Sequence, residues 1–135
     1  MEQRIDLIVG RPDSLDQLIP LFRAYQAHYN QFSVAGEEQT RCFLSQILRS
    51  PNEGFVILAS TSGQMIGFAT GYVMVSGLLE ERMIHLGDLY VDPGYRGRKV
   101  GTSLVLEVVS QARLRGFWPG PLAFPRLERV AESLV

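Results

Sequence analysis

The sequence predicts an α/β domain of the α+β type: a mixed, mainly antiparallel sheet flanked by helices. Three observations predict it. Hydrophobic periodicity runs strand, two helices, three strands, helix along the chain. The later strands are joined by short turn-rich segments, which make neighbours antiparallel. A strand ending at Asp92-Pro93-Gly94 is followed at once by a long helical pattern. At 135 residues the chain is expected to form one domain over 1–135, large enough for a core.

The elements follow in order. Ile5 to Val9 alternates as a first strand, which Gly10-Arg11-Pro12 ends. Asp13 or Ser14 caps a helix with Leu15, Leu18, Ile19, Leu21, Phe22 and Tyr25 on its apolar face, and Pro20 is expected to kink or restart it. After a break at Gly36, Glu37 to Leu48 reads as a second helix with Phe43, Leu44, Ile47 and Leu48 inward. Ser50 to Gly54 is turn chemistry, Phe55 to Ala59 a strand, Ser60 to Gln64 a hairpin turn, and Met65 to Val75 a strand. Gly67 and Gly71 share one face of that strand, where they relieve crowding against a helix or mark a bulge. Arg82 to Val91 is the next strand. Lys99 to Arg115 is the long helix, stopped by Gly116.

Apolar residues make up 46% and charged ones 20%, a globular rather than disordered composition. A formal net charge of −1 gives no field to draw the chain to nucleic acid or to an anionic membrane, so neither is expected as a partner. Cys42 is the single cysteine, which rules out an internal disulfide and fits a cytoplasmic location. No apolar run reaches membrane-spanning length, Met1-Glu2-Gln3-Arg4 does not open a signal peptide, and no metal site is expected.

The cations are local. Between strand and long helix lies a turn with Arg96, Arg98 and Lys99 around Gly97, followed by Gly101. A helix N-terminus carries free N–H groups and partial positive charge, so this turn is a cradle for a phosphorylated ligand or, more simply, a basic surface turn. A triphosphatase loop would need Gly-Lys before Ser or Thr, and a dinucleotide fingerprint three spaced glycines; neither is present.

The string Asp88-Leu-Tyr-Val-Asp-Pro-Gly-Tyr-Arg-Gly-Arg-Lys-Val-Gly-Thr-Ser-Leu104 resembles the acetyl-CoA-binding motif of the GNAT superfamily of N-acetyltransferases. Arg96 matches its first position and Gly101 its last, and Lys99 stands where the first glycine is usual. The resemblance extends over about Ile5 to Gly116 and implies a GNAT-like acyltransferase fold with acetyl-CoA as co-substrate. It implies that the backbones of Leu89, Tyr90 and Val91 bind the pantetheine arm from a bulged strand. The pyrophosphate would meet Arg96, Gly97, Arg98, Lys99, Val100, Gly101 and Thr102.

Transfer to an amine requires a proton acceptor for the ammonium and donors for the thioester oxygen. Glu80, Glu81, His85 and Asp88 lie on or beside the strand. Asp88 is the first candidate base and His85 a weaker one; a local hydrogen-bonding role for Asp88 stays open. In the resemblance Asp88 is the second acid of a Glu-Asp pair, and Gly87 replaces the first, which counts against a polyamine acceptor. Tyr25, His28 and Tyr29 share one helix face. They are a packing stripe with a surface histidine or, as the resemblance implies, an acceptor-pocket wall.

After Gly116 the resemblance ends. Leu122 to Phe124 and a short helix over Pro125 to Val135 are all that is expected there, with Val135 where the family has a thiolate-protonating tyrosine. The expected fold therefore lacks part of the C-terminal sheet. Three readings follow: an N-acetyltransferase for a primary amine of a small molecule or peptide, an acetyl-CoA-binding protein with little catalysis, or a truncated member completed by a partner. An exposed sheet edge leads to the expectation of a homodimer.

Overall fold

The computed structural model describes residues 4–29, 36–78 and 80–117. The elements are β1 (Asp6–Val9), a 3-10 turn at Pro12–Ser14, α1 (Leu15–Tyr29), α2 (Glu37–Arg49), β2 (Gly54–Thr61), β3 (Gln64–Ser76), β4 (Glu81–Val91), a 3-10 turn at Pro93–Tyr95, and α3 (Val100–Leu114). The sheet has the order β1-β2-β3-β4, and all three pairings are antiparallel. The strand and helix expected after Leu122 lie outside the described residues.

Each face of the sheet buries its own cluster. On one side α3 places Val100, Leu104, Val105 and Val108 against Ile57, Ile66, Ala69, Ile84, Leu89 and Val91. On the other, α1 and α2 place Leu18, Phe22, Leu44 and Ile47 against Val56, Leu58, Phe68 and Tyr90. Burying a side chain such as Leu104 or Phe68 contributes about 1.5–3 kcal/mol. The two helices are also tied by an ion pair, Arg41 to Asp16 at 2.9 Å. Gly67 and Gly71 face the α3 side, and each is needed for close approach. A Cβ at Gly67 would lie 2.9 Å from the Tyr90 carbonyl oxygen, and one at Gly71 2.8 Å from the Phe55 ring.

Three local expectations change. Helix α1 runs through Pro20 without restarting. Pro20 is exposed, so the Asp16 carbonyl it leaves unpaired is on the solvent side, where water can satisfy it. Phe43 points outward at 43% exposure instead of inward. The hairpin turn contracts to Ser62-Gly63, with φ of 50° and 77°, and the strands extend to Thr61 and from Gln64. Two central residues with positive φ match the twist of the paired strands.

The feature that positions the site is a break in register between β3 and β4. Asp88 pairs with Thr70 and Leu86 with Gly71, which leaves Gly87 as an extra residue on β4. Side chains alternate along a strand, so one inserted residue moves all that follows to the opposite face. Ile84 and Leu86 face α3 before the bulge, and Leu89 and Val91 face it after. Asp88 therefore joins Thr70, Tyr72 and Tyr90 on the α1 side.

Candidate active site

Asp88 stands at the centre of a hydroxyl cluster. Tyr25 donates from α1 to Oδ1 at 2.6 Å. Thr70 and Tyr72 donate from β3 to Oδ2 at 2.6 and 2.5 Å. Thr70 is 1% exposed, so its hydroxyl depends on this acceptor. Both phenols are pushed well above their ordinary value, first by burial and then by the hydrogen bond to Asp88. They remain protonated donors at neutral pH and are unavailable as bases.

Backbone geometry explains how Tyr72 reaches the carboxylate. A Cβ at Gly87 would lie 2.0 Å from Tyr72 Cε2 and 2.2 Å from Cδ2. The ring occupies the space a side chain at 87 would take, so Gly87 both makes the bulge and admits the ring. Over the cluster lies a cleft of about 260 Å³, lined by Phe22, Gln26, Gln39, Thr40, Phe43, Tyr72 and Asp88.

A second arrangement lies one strand-turn further on. The Asp92 N–H donates to the Ile66 carbonyl at 2.8 Å, so it faces β3. Inward and outward groups alternate along an antiparallel strand. Tyr90 therefore also faces β3, while Leu89 and Val91 turn their N–H and C=O groups to the outer edge. Arg96 Nε donates to that outward Val91 carbonyl at 2.9 Å, and its guanidinium lies 5.4 Å from the Tyr90 ring centroid. Asp92 accepts from the Gly94 N–H at 2.9 Å and closes the turn.

Gly97 has φ of 80° and Lys99, the N-cap of α3, φ of 63°. The first helical bond runs from the Ser103 N–H to the Lys99 carbonyl at 3.0 Å. The N–H groups of Val100, Gly101 and Thr102 are the orphan donors of the first turn. Gly101 is buried, whereas Arg98 and Lys99 are exposed, and among the described residues no ion pair engages Arg96, Arg98 or Lys99. The ensemble is a row of backbone donors with three adjacent cations, the chemistry of an anion site.

Of the residues singled out from sequence, Tyr25 meets Asp88, and Tyr29 stacks on Tyr25 with centroids 5.3 Å apart. His28 is exposed and lies against Tyr29 at 4.7 Å, on the outer side of that stack. His85 pairs with Tyr72 across the strands and is exposed. Sequence reasoning did not assign Thr70 or Tyr72 to the site, nor the cleft residues Gln26, Gln39, Thr40 and Phe43. The available signal was parity: Phe68, Thr70 and Tyr72 occupy the face opposite Gly67 and Gly71.

Comparison with known proteins adds a family. The model described as acetyltransferase (GNAT) family matches residues 18–119. An uncharacterized N-acetyltransferase of Methanocaldococcus jannaschii is 26% identical over 106 residues, 77% of this chain and 46% of that protein. The uncharacterized N-acetyltransferase YhfO of Bacillus subtilis is 33% identical over 89 residues, 65% of this chain and 57% of that one. The chain thus spans about half the length of the curated relatives it matches. A solved probable acetyltransferase superposes with a TM-score of 0.71 at 29% identity, covering 80% of this chain and 71% of that one. A predicted acetyltransferase with acetyl-CoA from Clostridium acetobutylicum gives 0.73 at 14% identity, covering 94% and 88%. An aminoglycoside acetyltransferase from an uncultured soil metagenomic sample, in complex with sisomicin, gives 0.71 at 20%, covering 93% and 84%. The last two likenesses are of fold.

Proposed function

The chain belongs to the acetyltransferase (GNAT) family, and on that premise we propose that it moves an acetyl group from acetyl-CoA to a primary amine of a small molecule or peptide by direct transfer. The observation that carries this reading is the adjacency on β4. Asp88 faces the α1 side with its hydroxyl donors, and the next residue, Leu89, turns its backbone to the outer edge that leads to the α3 N-terminus.

The residues present fit the proposed co-substrate. The orphan N–H groups of Val100, Gly101 and Thr102, with Arg96, Arg98 and Lys99 beside them, would hold a pyrophosphate. The outward backbone of Leu89 and Val91 would hold an amide-bearing arm in the manner of an added strand. When bound, acetyl-CoA supplies a thioester carbon open to attack by an amine. Transfer to the neutral amine would form one N–C bond and break one C–S bond, with one proton leaving the nitrogen and one ending on the departing thiolate.

Asp88 is the group assigned to the proton leaving the nitrogen. A carboxylate offers about four acceptor positions. Three are taken by Tyr25, Thr70 and Tyr72, and the remaining one holds the acceptor's N–H and receives its proton. The three hydroxyls fix the carboxylate rotamer, and the phenols stay protonated throughout. A homodimer and a cytoplasmic location belong to the same reading. The first is supported by the place of β4 at the end of the sheet order, whose stretch before Asp88 is not assigned to the co-substrate, the second by a single cysteine, and light scattering tests the former.

The test is thiol release from acetyl-CoA by the purified chain with a panel of amines, alongside thermal unfolding with CoA. A ligand that binds only the folded state raises the melting temperature by mass action. Thiol release that depends on the amine, with a rise in melting temperature, is expected. No heat and no thermal shift at about millimolar CoA, where even a weak Kd would register, would overturn the reading.

A further inference from the structure

We propose that the cleft over Asp88 takes a small amine bearing one positive charge and an uncharged, partly aromatic body, in preference to polyamines and aminoglycosides. The inference deepens the acetyl-transfer reading and rests on it for the fate of the amine, but not for what binds.

Four observations carry it. First, charge. Among the described residues lining the cleft, Asp88 is the single acid, and the others are Phe22, Gln26, Gln39, Thr40, Phe43 and Tyr72. One carboxylate with one open acceptor position matches one ammonium. A second ammonium inside the cleft would find amide oxygens and no further acid among the described lining residues, and desolvating it there is costly.

Second, the backbone itself denies a second acid. The strand position next to Asp88 is Gly87, whose Cβ would fall 2.0 Å from the Tyr72 ring. Tyr72 fills that space and delivers a neutral donor to Asp88 instead of another negative charge.

Third, the walls. Phe22 and Phe43 lie with centroids 6.4 Å apart, and Phe43 leaves 43% of its surface exposed although its helix has a buried face available. Two rings at the cleft, one buried and one at the rim, offer an apolar contact for the body of the acceptor. Gln26, Gln39 and Thr40 add neutral hydrogen-bonding groups beside them. Fourth, size. A volume of about 260 Å³ lies below the range of about 300–1,000 Å³ usual for drug-sized ligands, which suits a side-chain-sized amine better than a trisaccharide.

The test uses the full chain and three probes: 2-phenylethylamine, 1,5-diaminopentane and sisomicin. Binding is titrated by calorimetry without acetyl-CoA, and kcat/KM is measured by thiol release with it. The expected result is that 2-phenylethylamine binds at least about tenfold more tightly than either polycation. Asp88→Asn should abolish that binding, and Phe43→Ala should weaken it by about tenfold, the worth of a lost aromatic contact. Gly77→Ala, in the connection after β3 with nothing within 4 Å of the new Cβ, serves as the folded control. Three outcomes overturn the proposal: tighter or equal binding of the diamine or sisomicin, no measurable binding of the monoamine, or monoamine affinity unchanged in Asp88→Asn. Monoamine preference without thiol release would sink acetyl transfer and leave this inference standing. Thiol release fastest with sisomicin would do the reverse.

Discussion

Strand β4 carries two sites built on opposite principles. At its C-terminal end the turn into α3 is made mainly of backbone: orphan N–H groups at Val100 to Thr102, a left-handed Lys99, and outward peptide groups at Leu89 and Val91. Everything in it lies within a short run of sequence. Before that end, the Asp88 cluster is made of side chains from α1, β3 and β4, with partners 63, 18 and 16 residues away. A backbone site tolerates side-chain variation so long as φ, ψ and small-residue positions hold. A side-chain site depends on register, and here on one inserted glycine. On the proposed reading, the turn would serve any acceptor, while the cluster would set which one.

The sharpest way to separate the two is Asp88→Asn, which removes the charge and keeps the shape. General acid–base groups contribute about 10²–10⁴-fold in rate. We expect kcat/KM to fall by at least about a hundredfold, with CoA affinity unchanged in calorimetry. An equal loss of CoA binding would mean that the two sites are not separable.

The converse pair acts on the turn. Gly101→Val adds bulk at a buried first-turn position, and Arg96→Ala removes both a charge-assisted donor and the clamp on the Val91 carbonyl. Each should weaken CoA by about 1.5–3 kcal/mol, the usual worth of a hydrogen bond to a charged group. Amine binding measured without CoA should not change. Parent-like CoA affinity in both folded variants would remove the phosphate assignment.

This contrast also explains what could be read from sequence. The turn was legible because its signals are contiguous: Asp92-Pro93-Gly94 stopping a strand, cations around Gly97, then helical periodicity to Gly116. The element order was legible for the same reason, and the structure keeps it, down to Gly67 and Gly71 as close-approach positions on the α3 face. Asp88 stood out as an acid on the right strand, but its donors did not. Strict alternation from Ile84 and Leu86 would turn Asp88 toward α3; only the unpaired Gly87 turns it toward Tyr25 and Tyr72. A bulge is a property of the pairing of two strands, so neither strand alone announces it. Phe43 misled in a related way. Helical spacing placed it near the inward face, and it is held at the rim of a cleft that exists only once α1, α2 and β3 have met.

Gly87→Ala tests the bulge directly. The new methyl must displace the Tyr72 ring, an overpacking cost of about 1–3 kcal/mol, and the Tyr72 hydroxyl should leave Asp88. Denaturant melts should show that loss, and Tyr72→Phe should show the loss of the hydroxyl without the clash. Alkali gives a milder probe. Both phenols have folded-state values raised above the ordinary 10.0. The folded state therefore holds these protons more tightly than the unfolded chain. Their contribution is fully present below pH 10 and is lost as pH climbs beyond it toward the folded values. Stability should be flat to near pH 10 and then fall, with a shallower fall in the Tyr25→Phe, Tyr72→Phe double variant. Equal slopes would show that the hydroxyls do not share the carboxylate as described.

The smallest effect concerns Lys99, which sits at φ of 63° and ψ of 19° where a glycine would be at ease. A left-handed conformation costs an L-residue about 1–2 kcal/mol. Replacing it by glycine relieves that cost but gives the unfolded chain more freedom, worth about 0.4–1 kcal/mol in the other direction. Lys99→Gly should therefore stabilise the fold by between about 0 and 1.6 kcal/mol. The lysine is exposed and reaches no acid among the described residues, so nothing in its packing opposes the change. The substitution also separates the two parts of the turn's design, since it keeps the backbone cradle and deletes one cation. If the cradle is mainly backbone, CoA affinity should drop by no more than the about 0.3–1 kcal/mol typical of an exposed charge near a helix end. A loss as large as that of Arg96→Ala would move Lys99 from the rim of the site to its centre, and a fall in melting temperature would mean that its side chain stabilises the turn after all.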